Sequence, residues 1–343
     1  MVRSSGRRRV RWAAVVLVGT VVLAGCGGRP APEPAGPGGI TEVNCGLPVS
    51  VPGPPQRVYA LYQPAAEAVH ALGLSDRLVG TSYHGAPVLP QHAEAQARVP
   101  NLPDLPSREA LLATDPDFVL AGFNNAFATG GSESISTRGD LGRLGIATWI
   151  TAPLCPTQDG LSDEAIDPAR VSMDTVYDDL RGLGRLFAVP DRADAVVADL
   201  QRRVADVAGR VAGRPAPRVA ILLNDDDGSY RVASGIDFGT QVLAMAGARN
   251  AFGDLTERRH VAVSKEELAA RDPDVILTST CCDPATIGPD GAADVARIRA
   301  DPALSGTRAV QEGRVFPFLF EDRAAGVRAP YAAEQVAGLV HPR

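Results

Sequence analysis

The 343-residue sequence predicts an α/β fold in which two lobes, each with a parallel-type central sheet, are joined by one long helix. Short strands alternate with helices on both sides of the joining helix, as in βαβ units. A 14-residue segment also occurs twice, once on each side of that helix. We expect lobes at residues 56–171 and 215–343, connecting helices at 172–214, and two preceding segments at 1–26 and 27–55.

The first 26 residues have the pattern of a secretory signal. Five arginines and no acidic residue precede an apolar run of about 12 residues, shorter than the roughly 20 that cross a bilayer. The run ends in Leu23-Ala24-Gly25-Cys26, which resembles a bacterial lipobox. That resemblance implies lipidation of Cys26 and a body anchored outside the cell membrane; an ordinary signal peptide is the alternative. Residues 27–39, rich in Pro and Gly, predict an extended tether.

Composition and charge exclude several classes of protein. The chain is 45% hydrophobic and 22% charged, which is typical of globular domains rather than disordered ones. Without residues 1–26, 29 basic and 40 acidic residues leave a net charge of −11. An acidic body argues against nucleic acid as a partner.

Four cysteines remain if Cys26 carries lipid, and they allow three pairings. Outside the cytoplasm, thiols tend to oxidise. We predict a disulfide between Cys45 and Cys155, because each lies in an irregular segment flanked by Pro or Gly. The adjacent Cys281 and Cys282 could form a vicinal disulfide, remain thiols or bind a soft metal ion.

The repeated segment reads SREALLATDPDFVL at 107–120 and SKEELAARDPDVIL at 264–277. Eight of the fourteen positions are identical without a gap. Each copy predicts a short helix with a serine N-cap, an Asp-Pro-Asp turn and a strand. Such a repeat at a separation of 157 residues indicates two lobes of similar build.

The other elements follow from hydrophobic periodicity. The first lobe has predicted strands at 57–61, 77–81, 117–122 and 147–151, with helices at 65–72 and 139–144. A helix at 173–186 leads to the long amphipathic helix at 191–211, which Pro190 begins and Gly213 ends. The second lobe has predicted strands at 218–223, 274–278 and 314–319, with a helix at 240–246.

The order and spacing of several segments resemble one family across residues 56–342. They are PQRVYALYQPAAEAVHALGLSDRLVG (55–80), LGIATWI (144–150), DDLRGLGRLFAVPDRADAVV (178–197), MAGARNAFGDL (245–255) and AVQEGRVFPF (309–318). The family is the substrate-binding lipoproteins of ABC importers for iron–siderophore complexes and cobalamin. The resemblance implies a monomer without cofactor that captures a ferric siderophore and delivers it to a permease dimer driven by a cytoplasmic ATPase. Cobalamin or haem is the alternative cargo.

The resemblance also gives the repeated segment a role. In this family each lobe presents an acidic residue to arginines of the permease, and the matching residues here are Glu109 and Glu266. Such charge pairs mainly guide orientation and association rate. The alternative is that each glutamate only favours the start of its helix through the macrodipole.

The cargo is expected in a cleft between the lobes, because loops at the carboxyl ends of parallel strands form the ligand crevice. Trp149 lies in the predicted strand at 147–151, and the other predicted ligand-binding residues follow predicted strands. The full set is Tyr62, Gln63, Tyr83, His84, Phe123, Asn124, Asn125, Trp149, Asn224, Asp226, Tyr230, Cys281, Cys282, Phe320, Arg323 and Arg328. Aromatic and polar groups with two arginines suit a bulky anionic metal complex. Alternatively, single aromatics pack in the core, the acidic run at 224–228 is an Asx turn, and the arginines are solvated.

Two rival functions are weaker. The sequence has no nucleophile elbow, P-loop, HExxH or strand-linked GxGxxG motif, so we do not predict an enzyme. A direct metal-ion receptor needs three or four converging ligands, which His84, Asp225, Asp226 and the cysteine pair could supply. The lack of a histidine-rich loop argues against that site, and we predict no resident metal.

Overall fold

A computed structural model describes residues 39–157, 161–162, 164–224, 230–280 and 291–342, without the side chains of residues 224, 279 and 280. Several predictions therefore lie outside the described residues: the signal with Cys26, most of the tether, the side chain of Asn224, and Asp226, Cys281 and Cys282. What the structure describes in detail is the two lobes and the helices between them.

Five parallel strands form the sheet of the N-terminal lobe, in the order β5-β4-β3-β6-β7. They are β3 (Val58–Leu61), β4 (Leu78–Ser82), β5 (Asn101–Leu102), β6 (Phe118–Ala121) and β7 (Ala147–Ile150), after a hairpin of β1 (Ile40–Asn44) and β2 (Leu47–Val51). The helices are α1 (Gln63–Ala71), α2 (Ala93–Gln96), α3 (Arg108–Ala113) and α4 (Arg138–Arg143). Strands β4 and β6 lie on opposite sides of β3, so the strand order reverses at β3. In α/β sheets, ligands bind at the carboxyl ends of the strands beside such a reversal point.

The C-terminal lobe has a sheet of order β11-β9-β8-β12-β13, with a short β10 also paired to β8. Its strands are β8 (Arg218–Asn224), β9 (Tyr230–Ala233), β10 (Arg249–Asn250), β11 (His260–Val263), β12 (Val275–Thr280) and β13 (Val315–Leu319). Its helices are α7 (Gly239–Met245), α8 (Lys265–Arg271), α9 (Ala292–Ala300), α10 (Arg308–Gln311) and α11 (Ala329–Val340).

The α/β fold class is confirmed, but the second sheet is mixed rather than parallel. The sequence did not predict strands β9 and β11: β9 pairs antiparallel to β8, and β11 pairs antiparallel to β9. Only five residues separate the end of β8 from the start of β9, and so few residues can join only antiparallel neighbours. The strands β8, β12 and β13 remain parallel, so their carboxyl ends still meet at one edge.

The connecting helices are α5 (Met173–Leu186) and α6 (Pro190–Val211). At 22 residues, α6 is the long helix that the periodicity predicted. Proline at its first position favours its start, since an N1 residue needs no amide proton. Ala193, Val197 and Val207 are fully buried along one stripe, which packs α6 against α5 and α11. This stripe supports both lobes on one rigid element.

The β1–β2 hairpin is fastened to the N-terminal lobe in two ways. Cys45 in its turn forms a disulfide with Cys155, the pairing expected from the sequence, with Cα atoms 5.2 Å apart. Beside it, Asn44 Nδ2 donates to Ile150 O (2.7 Å) and Asn44 Oδ1 accepts from Ile150 N (2.9 Å). The side chain therefore satisfies backbone groups at the edge strand β7, which would otherwise be unpaired.

Both copies of the repeated segment begin a helix as predicted. Ser107 Oγ accepts from Ala110 N, and Ser264 Oγ accepts from Glu267 N, each at 3.1 Å. Such N-caps contribute about 1 kcal/mol each to helix stability. The helices α3 and α8 thus occupy equivalent places in the two lobes.

Candidate functional site

Four aromatic side chains gather where the carboxyl edges of the two sheets face each other. Tyr62 follows β3, Tyr83 follows β4 and Phe123 follows β6, while Phe320 comes from the other lobe, directly after β13. We call these four residues the aromatic cluster. All four are in the predicted ligand set, and the structure brings them together.

Tyr62 is the centre of the aromatic cluster. Its ring centroid lies 6.0 Å from that of Tyr83 and 6.2 Å from those of Phe123 and Phe320. These tilted and edge-on arrangements are the favourable ones for aromatic rings, contributing roughly 0.5–1.5 kcal/mol per pair. Because the Tyr62–Phe320 pair crosses between the lobes, the cluster is both a wall of the cleft and a contact between its sides.

The backbone under this wall is held in an unusual conformation. Tyr62 and Tyr83 have φ values of 75° and 61°, which non-glycine residues rarely adopt. Tyr62 N still donates to Ser82 O, and Tyr83 N to Leu102 O, both at 3.0 Å. A side chain at Gly122 would lie 2.8 Å from the Tyr62 ring, so glycine is needed there. Strain of this kind, maintained by surrounding contacts, is concentrated at functional sites.

Arg323 lies beneath the cluster, with its guanidinium 4.0 Å from the Phe320 ring centroid. It is 1% exposed and donates to Asp237, which also accepts from Arg259 at 3.3 Å. Arg323 also donates to His260 Nε2 at 2.9 Å. Burial opposes ionisation of Asp237, but the two arginines and His260 hold its pKa well below the ordinary range. Arg323 is thus a buried, carboxylate-paired group rather than a solvated one.

The network continues into the first lobe through Glu164. His260 Nδ1 lies 2.5 Å from Glu164 Oε1, and His260 N donates to Glu164 Oε2 at 2.9 Å. Arg231 donates to the same carboxylate at 3.1 Å. Burial favours the neutral form of Glu164, yet the hydrogen bonds and charge of His260, together with the Arg259 charge, lower its pKa to about 2. We call this set the paired junction: Glu164, Arg231, Asp237, Arg259, His260 and Arg323.

Arg328 makes a second contact between the lobes. From the start of α11 it donates to both carboxylate oxygens of Glu67 on α1, at 2.5 and 3.2 Å, and to Pro87 O at 2.7 Å. Within its own lobe it donates to Asp322 at 3.2 Å. Its neighbour Glu321 is 2% exposed. We call Glu67, Glu321, Asp322 and Arg328 the acidic junction.

Two predicted ligand residues are wrong, because their side chains are in lobe cores. Trp149 is 2% exposed in a core cluster of the N-terminal lobe, and its Nε1 donates to Asp179 Oδ1 on α5 at 2.7 Å. Tyr230 is 1% exposed in the second lobe and donates to Asp301 at 2.9 Å. Burial and the Asp301 carboxylate raise the pKa of Tyr230 to about 12.

Three predicted polar residues hold the cleft loops in place. Gln63 is fully buried and connects Glu67, Pro87 O and Ala86 N. Asn124 donates to Leu154 O and Ser162 O at 2.9 and 3.0 Å, and Asn125 donates to Glu133. These bonds use the amide nitrogens of both asparagines. Their Oδ1 atoms are buried and accept no hydrogen bond from the described residues.

His84 lies between the aromatic cluster and the acidic junction. Its Nε2 is buried without a hydrogen-bond partner among the residues that the structure describes. Burial, helped by the His70 and Arg328 charges, lowers the pKa of His84 to about 4. The imidazole is therefore neutral at physiological pH, and with the proton on Nδ1 its Nε2 is a hydrogen-bond acceptor.

Sequence reasoning missed the carboxylates that pair these arginines: Glu67, Glu164, Asp237 and Asp322. Only Glu67 carried a signal, as the one acidic residue in the otherwise apolar and amide face of α1. Buried acids are almost always paired. The partners lie up to 261 residues away along the chain, which local patterns do not reveal.

The other predicted sites have simpler outcomes. Glu109 and Glu266 are exposed at the second positions of α3 and α8, as the repeat implied. Hydrogen bonds to the backbone and to Ser107 lower the pKa of Glu109. Within the described ranges, no group of three or more His, Cys, Asp or Glu side chains could hold a metal ion.

These features define a two-lobe binding protein, with a cleft at facing sheet edges and one long helix behind it. Comparison with known proteins agrees. A family model described as periplasmic binding protein matches residues 58–318, and the chain belongs to that family. Its members are solute-binding proteins of transport systems, so the body of the chain lies outside the cytoplasm. None of the described helices is long and apolar enough to cross a membrane.

Individual relatives are more distant. A cobalamin-binding protein of Halobacterium salinarum is 27% identical over 287 residues, covering 80% of this chain and 70% of the relative. A periplasmic binding protein structure from Veillonella parvula has a TM-score of 0.74 at 23% identity, covering 89% and 98% of the two chains. A structure described as an ABC-type Fe³⁺-hydroxamate transport system, from Saccharomonospora viridis, has a TM-score of 0.71 at 24% identity, covering 88% and 99%.

Proposed function

We propose that this protein is the substrate-binding lipoprotein of an ABC importer and that its cargo is a corrinoid of the cobalamin class. The observation that carries the proposal is the composition of the described cleft wall. It consists of aromatic rings and neutral hydrogen-bond acceptors, and its buried arginines are paired with the protein's own carboxylates. Such a wall matches a large metal complex whose periphery is uncharged.

Charge separates this cargo from anionic ones. The sequence favoured an anionic complex because Arg323 and Arg328 follow β13, but both are paired within the protein. A ferric catecholate, ferric citrate or the carboxylates of haem would have to compete with Asp237 or Glu67 for them. Removing one partner from a buried ion pair costs about 3–5 kcal/mol. The paired arginines therefore act against anionic cargo.

Buried polar atoms without hydrogen-bond partners also favour a corrinoid cargo. Buried atoms at the strand ends without a partner among the described residues include Asn124 Oδ1 and Asn125 Oδ1, which are acceptors, and His84 Nε2, which is an acceptor when the proton is on Nδ1. Buried polar atoms are normally satisfied, so a bound partner with N–H donors fits them. Corrinoids carry primary amides around the macrocycle, whereas ionised carboxylates have no proton to donate. The cobalamin-binding relative at 27% identity supports the same cargo.

An uncharged ferric hydroxamate is the second candidate, and it belongs to the siderophore class that the sequence placed first. The same pairing of Arg323 and Arg328 favours it over catecholate or citrate complexes. It would use the aromatic cluster in the same way. It offers fewer amide donors than a corrinoid, which is why we place it second.

Calorimetric titration of the purified protein tests the cargo. The ligands are cyanocobalamin, a ferric trihydroxamate, a ferric catecholate, ferric citrate and haem. We expect saturable one-to-one binding of cyanocobalamin, weakened at least tenfold by Phe320→Ala, with Tyr230→Phe as a matched aromatic control away from the cleft. Binding of the hydroxamate alone would select the second candidate. Binding of catecholate, citrate or haem in preference to both would overturn the charge argument.

Docking and anchoring are tested separately from cargo binding. We propose that exposed Glu109 and Glu266 contact the permease and that Cys26 carries the lipid. Glu109→Arg with Glu266→Arg is expected to abolish cargo uptake by cells while leaving the calorimetric affinity unchanged. Glu94→Arg with Glu312→Arg, at other exposed positions, is the control. Cys26→Ser is expected to release the protein from the membrane fraction, and retention would contradict the anchor.

A further inference from the structure

The acidic junction has more carboxyl groups than positive charge. Glu67, Glu321 and Asp322 are all 6% exposed or less. The guanidinium of Arg328 donates to Glu67 and Asp322, and its third acceptor is Pro87 O. Its hydrogen bonds therefore go to two of the three carboxyls and none goes to Glu321.

Glu321 is pressed against the opposite lobe. A Cβ at Gly85 would lie 2.9 Å from the Glu321 carboxyl carbon, so the carboxyl group occupies the space above Gly85. Its Oε1 is buried without a hydrogen-bond partner among the described residues. This position exists only while the two lobes are together, because Gly85 follows β4 and Glu321 follows β13.

The electrostatic setting of Glu321 favours the protonated form. Burial raises its pKa to about 7 and the Asp322 carboxylate acts in the same direction, while a hydrogen bond from its own backbone and the charges of Arg328 and Arg323 act against it. Burial also raises the pKa of Asp322, again opposed by Arg328. An unpaired carboxylate in such a place is costly, and the usual response is to bind a proton.

We propose that Glu321 is a proton-binding latch: closing the lobes buries it against Gly85 as a neutral acid, and its ionisation loosens the closed state. This goes beyond the cargo proposal and requires only that the lobes open and close. When they separate, water reaches the carboxyl group and its pKa returns toward the ordinary 4.5. Closure then takes up a proton between about pH 4.5 and 7.

The direction of the pH effect follows from this difference. The closed form has the higher pKa, so it is favoured at low pH and loses stability as the pH rises through about 7. His84, on the facing loop, acts in the opposite sense, since its pKa of about 4 in the closed form lies below its ordinary 6.5. Asp322, Arg323 and Arg328 also act on Glu321, and Glu67 accepts a hydrogen bond from the same Arg328. A variant that cannot titrate at Glu321 is needed to separate these contributions.

The first test measures the proton directly. Carbon-13 NMR of glutamate carboxyl groups in the purified protein, titrated from pH 4 to 9, is compared with Glu321→Gln to assign the signal. We expect a midpoint near 7 for Glu321. A Glu321 midpoint near 4.5 would overturn the latch.

The second test measures the lobes. Spin labels are attached at Leu144→Cys and Glu312→Cys, which are exposed positions in the two lobes. Double electron–electron resonance then measures the distance between the labels. Cys26, Cys281 and Cys282 are replaced by serine so that only these two positions are labelled. From pH 6 to 8.5 we expect the mean distance to lengthen by at least about 2 Å. Glu321→Gln should remain at the short distance, and His84→Gln should keep the midpoint near 7.

The outcomes are separable from those of the cargo proposal. A distance that does not change with pH, or that lengthens equally in Glu321→Gln, would overturn the latch. Neither measurement contains cargo. Failure of cyanocobalamin to bind therefore leaves the latch intact, and a failed latch leaves the cargo assignment intact.

Discussion

The two lobes meet at two charged junctions that are built in opposite ways. In the paired junction, the carboxylates of Glu164 and Asp237 are surrounded by Arg231, Arg259 and Arg323. In the acidic junction, three carboxyl groups are buried and the one arginine donates to only two of them. Asp237 and Glu321, one from each junction, are both buried, whereas Glu164 is partly exposed. The ratio of acid to base therefore decides whether a buried carboxyl group ionises or binds a proton.

This difference separates a constant contact from an adjustable one. The pKa of Glu164 is lowered to about 2, so its contribution is present above its ordinary pKa and is lost only as the pH falls toward 2. The charge of Glu164 is thus unchanged across the neutral range. The pKa of Glu321 is about 7, so the acidic junction changes within that range. One contact keeps the lobes in register while the other responds to the medium.

The largest expected effect comes from breaking the paired junction. Asp237→Ala removes the carboxylate that both Arg323 and Arg259 contact inside the protein. Uncompensated buried charge costs about 3–5 kcal/mol, so we expect the free energy of unfolding to fall by that amount. Urea denaturation at pH 7 measures it, with exposed Glu257→Ala as the control. A loss under 1 kcal/mol would mean that these arginines are not held by Asp237.

Removing the single arginine of the acidic junction should have a smaller but pH-dependent effect. Arg328→Met leaves Glu67 and Asp322 buried without their guanidinium, so we expect a loss of about 2–4 kcal/mol at pH 8. At pH 5 the loss should be smaller, because carboxyl groups whose pKa is raised bind protons there. Urea denaturation at both pH values checks this, and an equal loss at both would contradict the contrast between the junctions.

A methyl group added at Gly85 tests whether the Glu321 carboxyl group lies at the lobe interface. Gly85→Ala places a Cβ where the Glu321 carboxyl lies, and relieving the overlap requires the lobes to part or Glu321 to move. Overpacking of this kind costs about 1–3 kcal/mol, seen as a lower midpoint of urea unfolding. Gly130→Ala is the matched control, since its Cβ would meet no atom within 4 Å. If the two substitutions had equal effects, the Glu321 carboxyl group would not lie against Gly85 at the lobe interface.

The sequence predicted the position of the aromatic cluster but not the ion pairs that Arg323 and Arg328 form beside it. Tyr62, Tyr83, Phe123 and Phe320 follow strands, and a strand end can be located from local hydrophobic pattern. Trp149 was misplaced because it lies within β7 rather than after it, and helices cover both faces of a parallel sheet. The partners of Arg323 are 86 and 63 residues away, and only the folded chain brings them together.

The smallest expected effect concerns a buried acid that bridges no lobes. Burial raises the pKa of Asp179 to about 7, although Trp149 Nε1 donates to its carboxyl group. Ionisation near neutral pH should therefore change Trp149 fluorescence by a few tens of per cent with a midpoint near 7. Asp179→Asn should abolish this step. Glu321→Gln should leave it unchanged, because Trp149 and Asp179 lie within the core of one lobe. If Glu321→Gln moved the midpoint, the two acids would be coupled, and the independence of lobe core and lobe junction would be lost.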